Sequence, residues 1–229
     1  MEKVNKVNTM VTHEMAITSF SLALVGGYLD AFTYLTKGQV FANAQTGNIV
    51  LLGIAAAEGD FLSVVRTFAP IAAFVVGVLL TELFKRSTTV FKWQRIILAF
   101  EAVLLLFIGI VPLPDFAVNV MISLVCAMQV NSFRTTHGLN FASTMCTGNL
   151  RSGTEKLAEF IEKRNGRALR QSLRYFSVIL MFIIGAFLGG TLAPKIKDSS
   201  MFLCAAVLVM VLVYDFIYEK YTDKKAVSG

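Results

Sequence analysis

Long apolar stretches, separated by short polar segments, run through most of the chain. Six of them approach or reach the roughly 20 residues that a membrane-spanning helix needs. They lie at about 15–36, 64–84, 93–112, 116–133, 175–193 and 201–217. A further apolar stretch, 42–57, is shorter and is interrupted near its start by Thr46-Gly47-Asn48. The pattern predicts an all-α integral membrane protein of about six transmembrane helices, with a half-helix after Thr46 that does not fully cross. Seven spans are the alternative.

A repeated heptapeptide indicates that the chain has two related halves. Residues 42–48 read Ala-Asn-Ala-Gln-Thr-Gly-Asn, and residues 143–149 read Ser-Thr-Met-Cys-Thr-Gly-Asn. The match continues on both sides of these peptides, and downstream Gly77 corresponds to Gly185. Internal duplication of hydrophobic segments is typical of membrane transporters and channels.

The duplication divides one membrane domain, residues 1–229, into halves at about 15–112 and 113–218. If three spans lie between equivalent points, the second half is inserted upside down relative to the first. If four spans intervene, the two halves run parallel. We prefer the inverted repeat, in which each half carries one Thr-Gly-Asn half-helix or interfacial helix.

The composition and the distribution of charge fit a bilayer. Apolar residues make up 55% of the 229 positions and charged residues only 16%, which is too little polar material for a soluble domain of this size. With six spans and both termini inside, most basic residues lie in cytoplasmic loops, as is usual for membrane proteins. The exceptions are Lys37, Arg66, Lys195 and Lys197. We therefore predict a cytoplasmic C-terminus, and we attribute the net charge of +6 to these loops and not to a nucleic-acid partner.

Residues 150–174 form the main hydrophilic segment of the chain. Leu150, Leu157, Phe160 and Ile161 recur at helical spacing, with charged residues on the remaining faces. This pattern predicts an amphipathic helix and loop on the cytoplasmic surface. A solvated connector is the alternative.

Several common catalytic and metal-binding motifs are absent from the sequence. It contains no GxxxxGK phosphate-binding loop and no HExxH, GxSxG or GxGxxG motif. Cys126, Cys146 and Cys204 are isolated and lack CxxC spacing, so neither a disulfide framework nor a zinc site is indicated. We expect no enzymatic activity, no metal and no cofactor.

The two Thr-Gly-Asn tripeptides are candidate elements for binding a solute. They comprise Thr46, Gly47 and Asn48, and Thr147, Gly148 and Asn149, with Gln129 and Asn131 as further amide candidates. Thr is a typical helix N-cap, Gly allows close approach of the backbone, and Asn adds amide donors and acceptors. Free N–H groups at the N-terminus of a half-helix carry partial positive charge, which suits an anionic or strongly polar solute. The alternative is that the tripeptides only cap and turn the chain.

Two acidic residues lie inside predicted spans. Asp30 lies about two thirds of the way along the first span, and Glu101 lies about eight residues into the third. Intramembrane acids are functional candidates by default, so we predict that Asp30 and Glu101 are proton or cation sites. The alternative is a structural hydrogen bond to another span, for example from Asp30 to Gln129, Asn131 or Arg134.

Several of these motifs together resemble a known family. They are Gly26-Gly27-Tyr28-Leu29-Asp30-Ala31-Phe32, Thr46-Gly47-Asn48, Gln129-Val130-Asn131 and Thr147-Gly148-Asn149. The combination resembles the YoaK-like family of bacterial multi-pass membrane proteins over about residues 15–218. One departure is Val130, because the family's second motif is expected to place Asn directly after Gln. The resemblance implies a location in the bacterial cytoplasmic membrane, and the family carries no assigned biochemical function.

Together these features favour a secondary transporter, a permease for a small polar or anionic solute, with proton coupling as an option. A channel and a non-transporting membrane factor, either a regulatory partner or an intramembrane enzyme, are the alternatives. The lipid bilayer and the solute are the expected partners. A homodimer is a further candidate, because 229 residues are few for enclosing a pathway.

Overall fold

The computed structural model describes residues 2–85, 90–133 and 146–227, and the side chains within 17–85, 93–133 and 146–218. Most of the residues in these ranges are helical, and the ranges contain no strand. The helices, in chain order, are α1 (Glu2–Thr36), α2 (Gln45–Glu58), α3 (Phe61–Lys85), α4 (Val90–Ile110), α5 (Asp115–Ser132), α6 (Cys146–Lys163), α7 (Gly166–Ile196), a 3₁₀ turn (Lys197–Ser200) and α8 (Met201–Val227). The prediction of an all-α protein is confirmed.

The predicted spans coincide with the long helices α1, α3, α4, α5, α7 and α8. By length and composition, four segments of the described chain are able to cross a membrane. They are Phe61–Lys85, Trp93–Ile110, Asp115–Ser132 and Gly166–Tyr218. The last covers 53 residues and includes both α7 and the apolar part of α8, which are separated where Lys197 adopts a φ of 48°. α1 is not one of these four segments.

α2 is too short to cross the hydrocarbon core of a bilayer. Its 14 residues extend about 21 Å at 1.5 Å per residue, whereas the core is roughly 30 Å thick. The helix ends at Gly59, whose φ of 71° forms a left-handed C-cap. Asp60 then caps α3, because its carboxylate accepts hydrogen bonds from the N–H and the hydroxyl of Ser63 at 3.1 and 2.6 Å. These bonds hold the pKa of the Asp60 carboxyl below its ordinary value.

α6 is amphipathic. Asn149 lies on its buried face, whereas Arg151 and Glu155 form an exposed ion pair at 2.9 Å. Residues 166–174, expected as part of a loop, instead form the first turns of α7. Asn165 serves as the N-cap of α7, since its side chain accepts a hydrogen bond from the backbone N–H two residues further on.

Glycines allow the closest contacts between the long helices. α1 packs mainly against α7, and α3 packs mainly against α5. Gly185 of α7 lies against the backbone carbonyl of Leu24, and Gly77 of α3 lies against the carbonyl of Leu124. A Cβ atom added at Gly77 would come within 2.5 Å of that oxygen, and one added at Gly185 would overlap its neighbour more severely. Both interfaces therefore require a residue without a side chain at the crossing.

The main apolar core lies where α1, α4, α5 and α8 meet. Its fully buried residues include Leu22, Phe32, Leu98, Ile122 and Leu208. α4 packs against α8 through this core, while the shorter helices α2 and α6 pack against α3 and α7, respectively.

Polar contacts define one end of the bundle, which we call the Lys37 end. The Lys37 ammonium, just after α1, lies 3.2 Å from the Asp115 carboxylate and 2.7 Å from that of Asp198. Asp115 is the first residue of α5, and Asp198 lies in the turn between α7 and α8. The end of α1, the end of α7 and the starts of α5 and α8 therefore meet here.

Other polar contacts define the opposite end, which we call the Lys85 end. Lys85, the last residue of α3, donates a hydrogen bond to the backbone oxygen of Asn131 near the end of α5 at 2.9 Å. Arg95, near the start of α4, donates to the backbone oxygen of Asp215 in α8 at 3.0 Å. Thr18, early in the described part of α1, donates to the Asp215 carboxylate at 3.5 Å. The directions of the long helices follow from these two sets of contacts.

Candidate functional site

Asp30 is buried in α1 and is bound by the chain segment that follows this helix. The backbone N–H of Asn43 donates to Asp30 Oδ1 at 2.6 Å, and Asn43 Nδ2 donates to the carbonyl of Gly26 at 3.2 Å. Gly26 lies one helical turn before Asp30, so residues 37–44 turn back along α1. We call these residues the re-entrant segment. α2, which follows it directly, begins inside the bundle at the level of Asp30.

The start of α2 faces the Asp30 carboxylate. The backbone of Ala42 and Ala44 also lies close to this carboxylate, and the first turn of a helix carries partial positive charge. The anion at this helix terminus is therefore one of the protein's own side chains. The expectation that Thr46 caps the helix is wrong, because Ala44 is the N-cap, without a side-chain hydrogen bond, and α2 begins at Gln45.

The side chain of Asn48 fastens α2 to the re-entrant segment. Its Oδ1 accepts a hydrogen bond from the backbone N–H of Phe41 at 2.8 Å. Its Nδ2 donates to the backbone oxygen of Phe41 at 2.7 Å and to Oε1 of Gln45 at 2.9 Å. Both amide hydrogens are used, and the residue is fully buried. Asn149, the matching residue of α6, is buried as well.

The other tripeptide residues lie on more open surfaces. Thr46 is exposed on the face of α2 that also carries its exposed apolar side chains, and Thr147 and Gly148 are exposed at the start of α6. Gly47 packs against the ring of Phe41, where an added Cβ atom would come within 2.8 Å of a ring carbon. The structure therefore divides each tripeptide into a buried asparagine and an outward-facing threonine.

Glu101 of α4 is fully buried and pairs with Gln129 of α5. Gln129 Nε2 lies 3.1 Å from Glu101 Oε1 and 3.0 Å from Oε2. Gln129 Oε1 is buried and has no hydrogen-bond partner in the described part of the chain. One amide group therefore serves both carboxylate oxygens, and the pair joins α4 to α5 inside the bundle.

Cys126 of α5 connects the surroundings of the two acids. It is fully buried, lies within electrostatic range of both Glu101 and Asp30, and interacts with the side chain of Asn43. Cys146, at the start of α6, also lies within range of Asp30, so the first turns of both short helices approach this carboxylate. Among residues 2–85, 90–133 and 146–227, no three His, Cys, Asp or Glu side chains are grouped so that they could hold a metal ion.

Asn131 belongs to a separate polar group at the Lys85 end. Its Nδ2 donates to Glu82 Oε1 at 2.8 Å, and Glu82 forms an ion pair with Lys85 at 2.7 Å. The hydrogen-bond partner of Asp30 is thus Asn43, and neither Gln129 nor Asn131 takes that place. Arg134, the third candidate partner, lies outside the described residues.

Sequence reasoning missed Asn43 and Lys37. The Lys37 side chain is only 7% exposed and contacts two carboxylates, and its backbone oxygen accepts a hydrogen bond from Asn119 Nδ2 at 2.7 Å. Its position among the few basic residues that the charge pattern predicts on the non-cytoplasmic side was the available signal. Asn43 carried no comparable signal, because its partners are contributed by the fold.

Comparison with known proteins identifies a relative but no related solved structure. The chain is 26% identical to the UPF0700 transmembrane protein YoaK of Bacillus subtilis (strain 168) over 183 residues, which cover 76% of this chain and 81% of that protein. No solved structure matches the chain significantly. The resemblance to YoaK-like proteins is confirmed, and a membrane location agrees with the apolar helices. Residues 18–214 match the family described as a protein of unknown function, DUF1275, and the chain belongs to this family.

Proposed function

We propose that the chain is a secondary transporter that moves a small polar or anionic solute across the bacterial cytoplasmic membrane and couples this movement to protons. The observation that carries the proposal is the burial of Asp30 and Glu101 inside the bundle, with no basic side chain paired to either in the described residues. A buried carboxylate without a counter-charge is costly in free energy. A proton supplies that charge and is exchangeable, which is why intramembrane acids are typical of proton relays.

The surroundings of Asp30 suggest how a proton would act on the fold. Its carboxylate binds the backbone N–H of Asn43 and so holds the re-entrant segment against α1. A hydrogen bond to an ionised acceptor is roughly twice as strong as one to a neutral acceptor. Protonation of Asp30 would therefore loosen the re-entrant segment and, with it, the start of α2.

The helix contacts support an inverted repeat. Exchange of the two halves turns α1 into α5, α2 into α6, α3 into α7 and α4 into α8. Under this exchange the α1–α7 interface becomes the α5–α3 interface, the α2–α3 interface becomes the α6–α7 interface, and the α4–α8 interface maps onto itself. These are the most extensive interfaces of the described chain. The matching glycines Gly77 and Gly185 lie at the equivalent crossings α3–α5 and α7–α1.

The helix directions support the same conclusion. α1 and α7 end at the Lys37 end, where α5 and α8 begin, whereas α3 and α5 end at the Lys85 end. Each long helix of the second half thus runs opposite to its counterpart in the first. We infer six spans, α1, α3, α4, α5, α7 and α8, with α2 and α6 as half-helices. The positive-inside rule then assigns the Lys85 end and the C-terminus to the cytoplasm.

Two polar groups, the Glu101–Gln129 pair and the Lys37 ion pairs, lie where the two halves meet. Glu101 belongs to the first half and Gln129 to the second. At the Lys37 end, Lys37 of the first half contacts Asp115 and Asp198 of the second. In inverted-repeat transporters one half rocks against the other around a central site. In this scheme the Lys37 ion pairs close the outer side, and the two buried acids respond to the proton.

Within this scheme the predicted site residues have different roles. Gln129 Oε1, a buried acceptor without a partner in the described chain, is available to a solute when the halves separate. Asn48 and Asn149 hold the starts of α2 and α6, where the backbone contributes partial positive charge. Thr46 and Thr147 are exposed and do not contact the solute.

Proton movement in proteoliposomes tests the proposal. A panel of amino and carboxylic acids is added outside vesicles that contain the protein and a pH-sensitive dye. Wild-type protein is expected to acidify the lumen with at least one solute of the panel, and Glu101→Gln and Asp30→Asn are expected to abolish the proton signal. Glu58→Gln removes an exposed acid at the end of α2 and serves as the matched control. Undiminished proton uptake in both core variants would contradict the proposal.

A non-transporting membrane factor is the second candidate, and the surface of α6 favours it. This helix carries the exposed ion pair Arg151–Glu155 at 2.9 Å, the half-buried ion pair Lys156–Glu159 at 2.8 Å, and an exposed Leu150. Such a face suits a protein partner at the membrane surface. Stable co-purification of one partner, lost on reversal of the charges at Arg151 and Glu155, together with no solute flux, would select this function.

A further inference from the structure

A cavity of about 280 Å³ lies at the Lys37 end, between the end of α1, the first turns of α3 and the start of α5. Its polar lining includes Arg66, Asp115 and Asn119, and its apolar lining includes Leu62, Val65 and Phe116. Both halves of the chain contribute to it. Pockets for drug-sized ligands span roughly 300 to 1,000 Å³, so this cavity suits a smaller molecule.

The guanidinium group of Arg66 is not engaged by other groups of the described chain. Among the residues described, its side chain forms no salt bridge and no hydrogen bond, and its charge acts only at longer range on Asp60. Its stem lies against Gly38, where an added Cβ atom would come within 3.2 Å of Arg66 Cδ. Gly38 also has a φ of 85°, so a larger residue there would be strained and would crowd the arginine. The geometry leaves the planar fork of the guanidinium open to a carboxylate.

Asn119 supplies a buried acceptor. The residue is 3% exposed, and its Nδ2 is occupied by the backbone oxygen of Lys37 at 2.7 Å. Its Oδ1 is buried and has no hydrogen-bond partner within the described ranges. A buried polar atom without a partner costs about 1–3 kcal/mol. A ligand that brings a hydrogen-bond donor into the cavity would satisfy this oxygen.

The charges beside Asn119 favour a cationic donor. Lys37 is already shared by Asp115 and Asp198, so two carboxylates surround one ammonium group and leave a net negative charge. Asp115 is 58% exposed and lines the cavity. The cavity therefore has the positively charged guanidinium group of Arg66 on one side, and the negative charge of Asp115 and the acceptor oxygen of Asn119 on another.

We propose that this cavity binds a small zwitterion, an α-amino acid with an apolar side chain. Its carboxylate pairs with Arg66, its ammonium group lies near Asn119 Oδ1 and Asp115, and its side chain contacts Leu62, Val65 and Phe116. The proposal that the amino acid binds here rests on the lining of the cavity and does not depend on transport. The assignment of this ligand as the transported solute rests on the proposed function, with the cavity as the outer access site.

Calorimetric titration of the full chain in lipid nanodiscs tests the site. The probes are L-leucine, 4-methylpentanoate, which lacks the amine, and 3-methylbutylamine, which lacks the carboxylate. L-Leucine is expected to bind at least about tenfold more tightly than either single-charge analogue, because each lost charge-assisted contact weakens binding by about that factor. Equal binding of the three probes, or no binding of any, would overturn the proposal.

Variants locate the binding on the chain. Arg66→Gln is expected to weaken L-leucine and 4-methylpentanoate about tenfold or more and to leave 3-methylbutylamine unchanged. Lys195→Gln removes an exposed positive charge near the same end and serves as the matched control. Unchanged L-leucine affinity in Arg66→Gln would exclude this cavity. L-Leucine binding without proton-coupled uptake of L-leucine supports the site and counts against its role in transport. Uptake that does not depend on Arg66 excludes the cavity as the access site and leaves the transporter proposal standing.

Discussion

Gln129 Nε2 lies 3.1 and 3.0 Å from the two carboxylate oxygens of Glu101, and both side chains are buried inside the bundle. Only the amide nitrogen faces the carboxyl group, because Gln129 Oε1 has no hydrogen-bond partner in the described part of the chain. The pair joins the two predicted halves of the chain. Its energetics therefore report on the proposed proton site independently of transport.

Substitutions at this pair should give opposite effects for its two members. Glu101→Gln keeps the shape and removes the ionisable group, so we expect an unfolding midpoint equal to or above that of the wild type. Gln129→Leu leaves the carboxyl without a partner and should lower the free energy of unfolding by about 1–3 kcal/mol. Glu101→Leu combined with Gln129→Leu should recover part of this loss. Thermal unfolding in detergent measures all of the variants, and an equally stable Gln129→Leu protein would refute the pairing.

Substitution of Gly185 should disrupt the α1–α7 interface. A Cβ atom there would overlap the backbone carbonyl of Leu24, so Gly185→Ala should destabilise the fold by about 1–3 kcal/mol. Gly53 of α2 has open space around the same position. Gly53→Ala should therefore be neutral or stabilising by up to about 1 kcal/mol, because Ala is the better helix former. Unfolding midpoints compare the two, and similar values would argue against the tight crossing.

The first and last residues of the Thr46-Gly47-Asn48 tripeptide should differ in how well they tolerate substitution. Asn48→Ala removes three hydrogen bonds and leaves the buried Phe41 backbone without its partner, which should cost at least about 2 kcal/mol. Thr46→Val changes an exposed side chain and should alter neither stability nor solute uptake. Loss of uptake in a stable Thr46→Val protein would show that this threonine contributes to the solute site.

Removal of the Lys37 charge should open the bundle at that end. Lys37→Gln abolishes the ion pairs to Asp115 and Asp198. The fully buried Cys126 then becomes a reporter, in a background in which Cys146 and Cys204 are replaced by Ser. A membrane-impermeant maleimide should label Cys126 several-fold faster in Lys37→Gln than in the parent.

Lys195→Gln is the control for this labelling, because it removes a positive charge that is exposed. It should leave the rate unchanged. Equal labelling of all three proteins, with unfolding midpoints that show each to be folded, would mean that the Lys37 ion pairs do not restrict access.

The sequence predicts the long helices well because the bilayer imposes both their length and their apolar character. The stretch after Thr46 was correctly recognised as a short helix, since the polar residues at its start interrupt the apolar pattern. The sequence places the start of α7 too late because Arg167, Arg170 and Arg174 are polar, yet these positions belong to the first turns of the helix.

The pairing of the polar residues was less predictable. The sequence places Asp30 and Glu101 inside predicted spans, but their burial and their partners depend on how the segments fold back. Asn43 reaches Asp30 only because the re-entrant segment returns along α1. The roles expected for the threonines followed from general capping preferences, whereas helix rotation, which places Thr46 outward and Asn48 inward, depends on packing against α3.

The re-entrant segment is short, and this has a mechanical consequence. Lys37, which the carboxylates hold at the rim, and Asn43, which rests on the buried acid, are six positions apart in the sequence, a tether of no more than about 20 Å at 3.3–3.6 Å per residue. The two anchors therefore cannot separate by more than this length. We expect displacement of the Lys37 ammonium group from its carboxylates to shift the Asn43 backbone relative to Asp30, and a change of charge on Asp30 to shift Lys37 in turn.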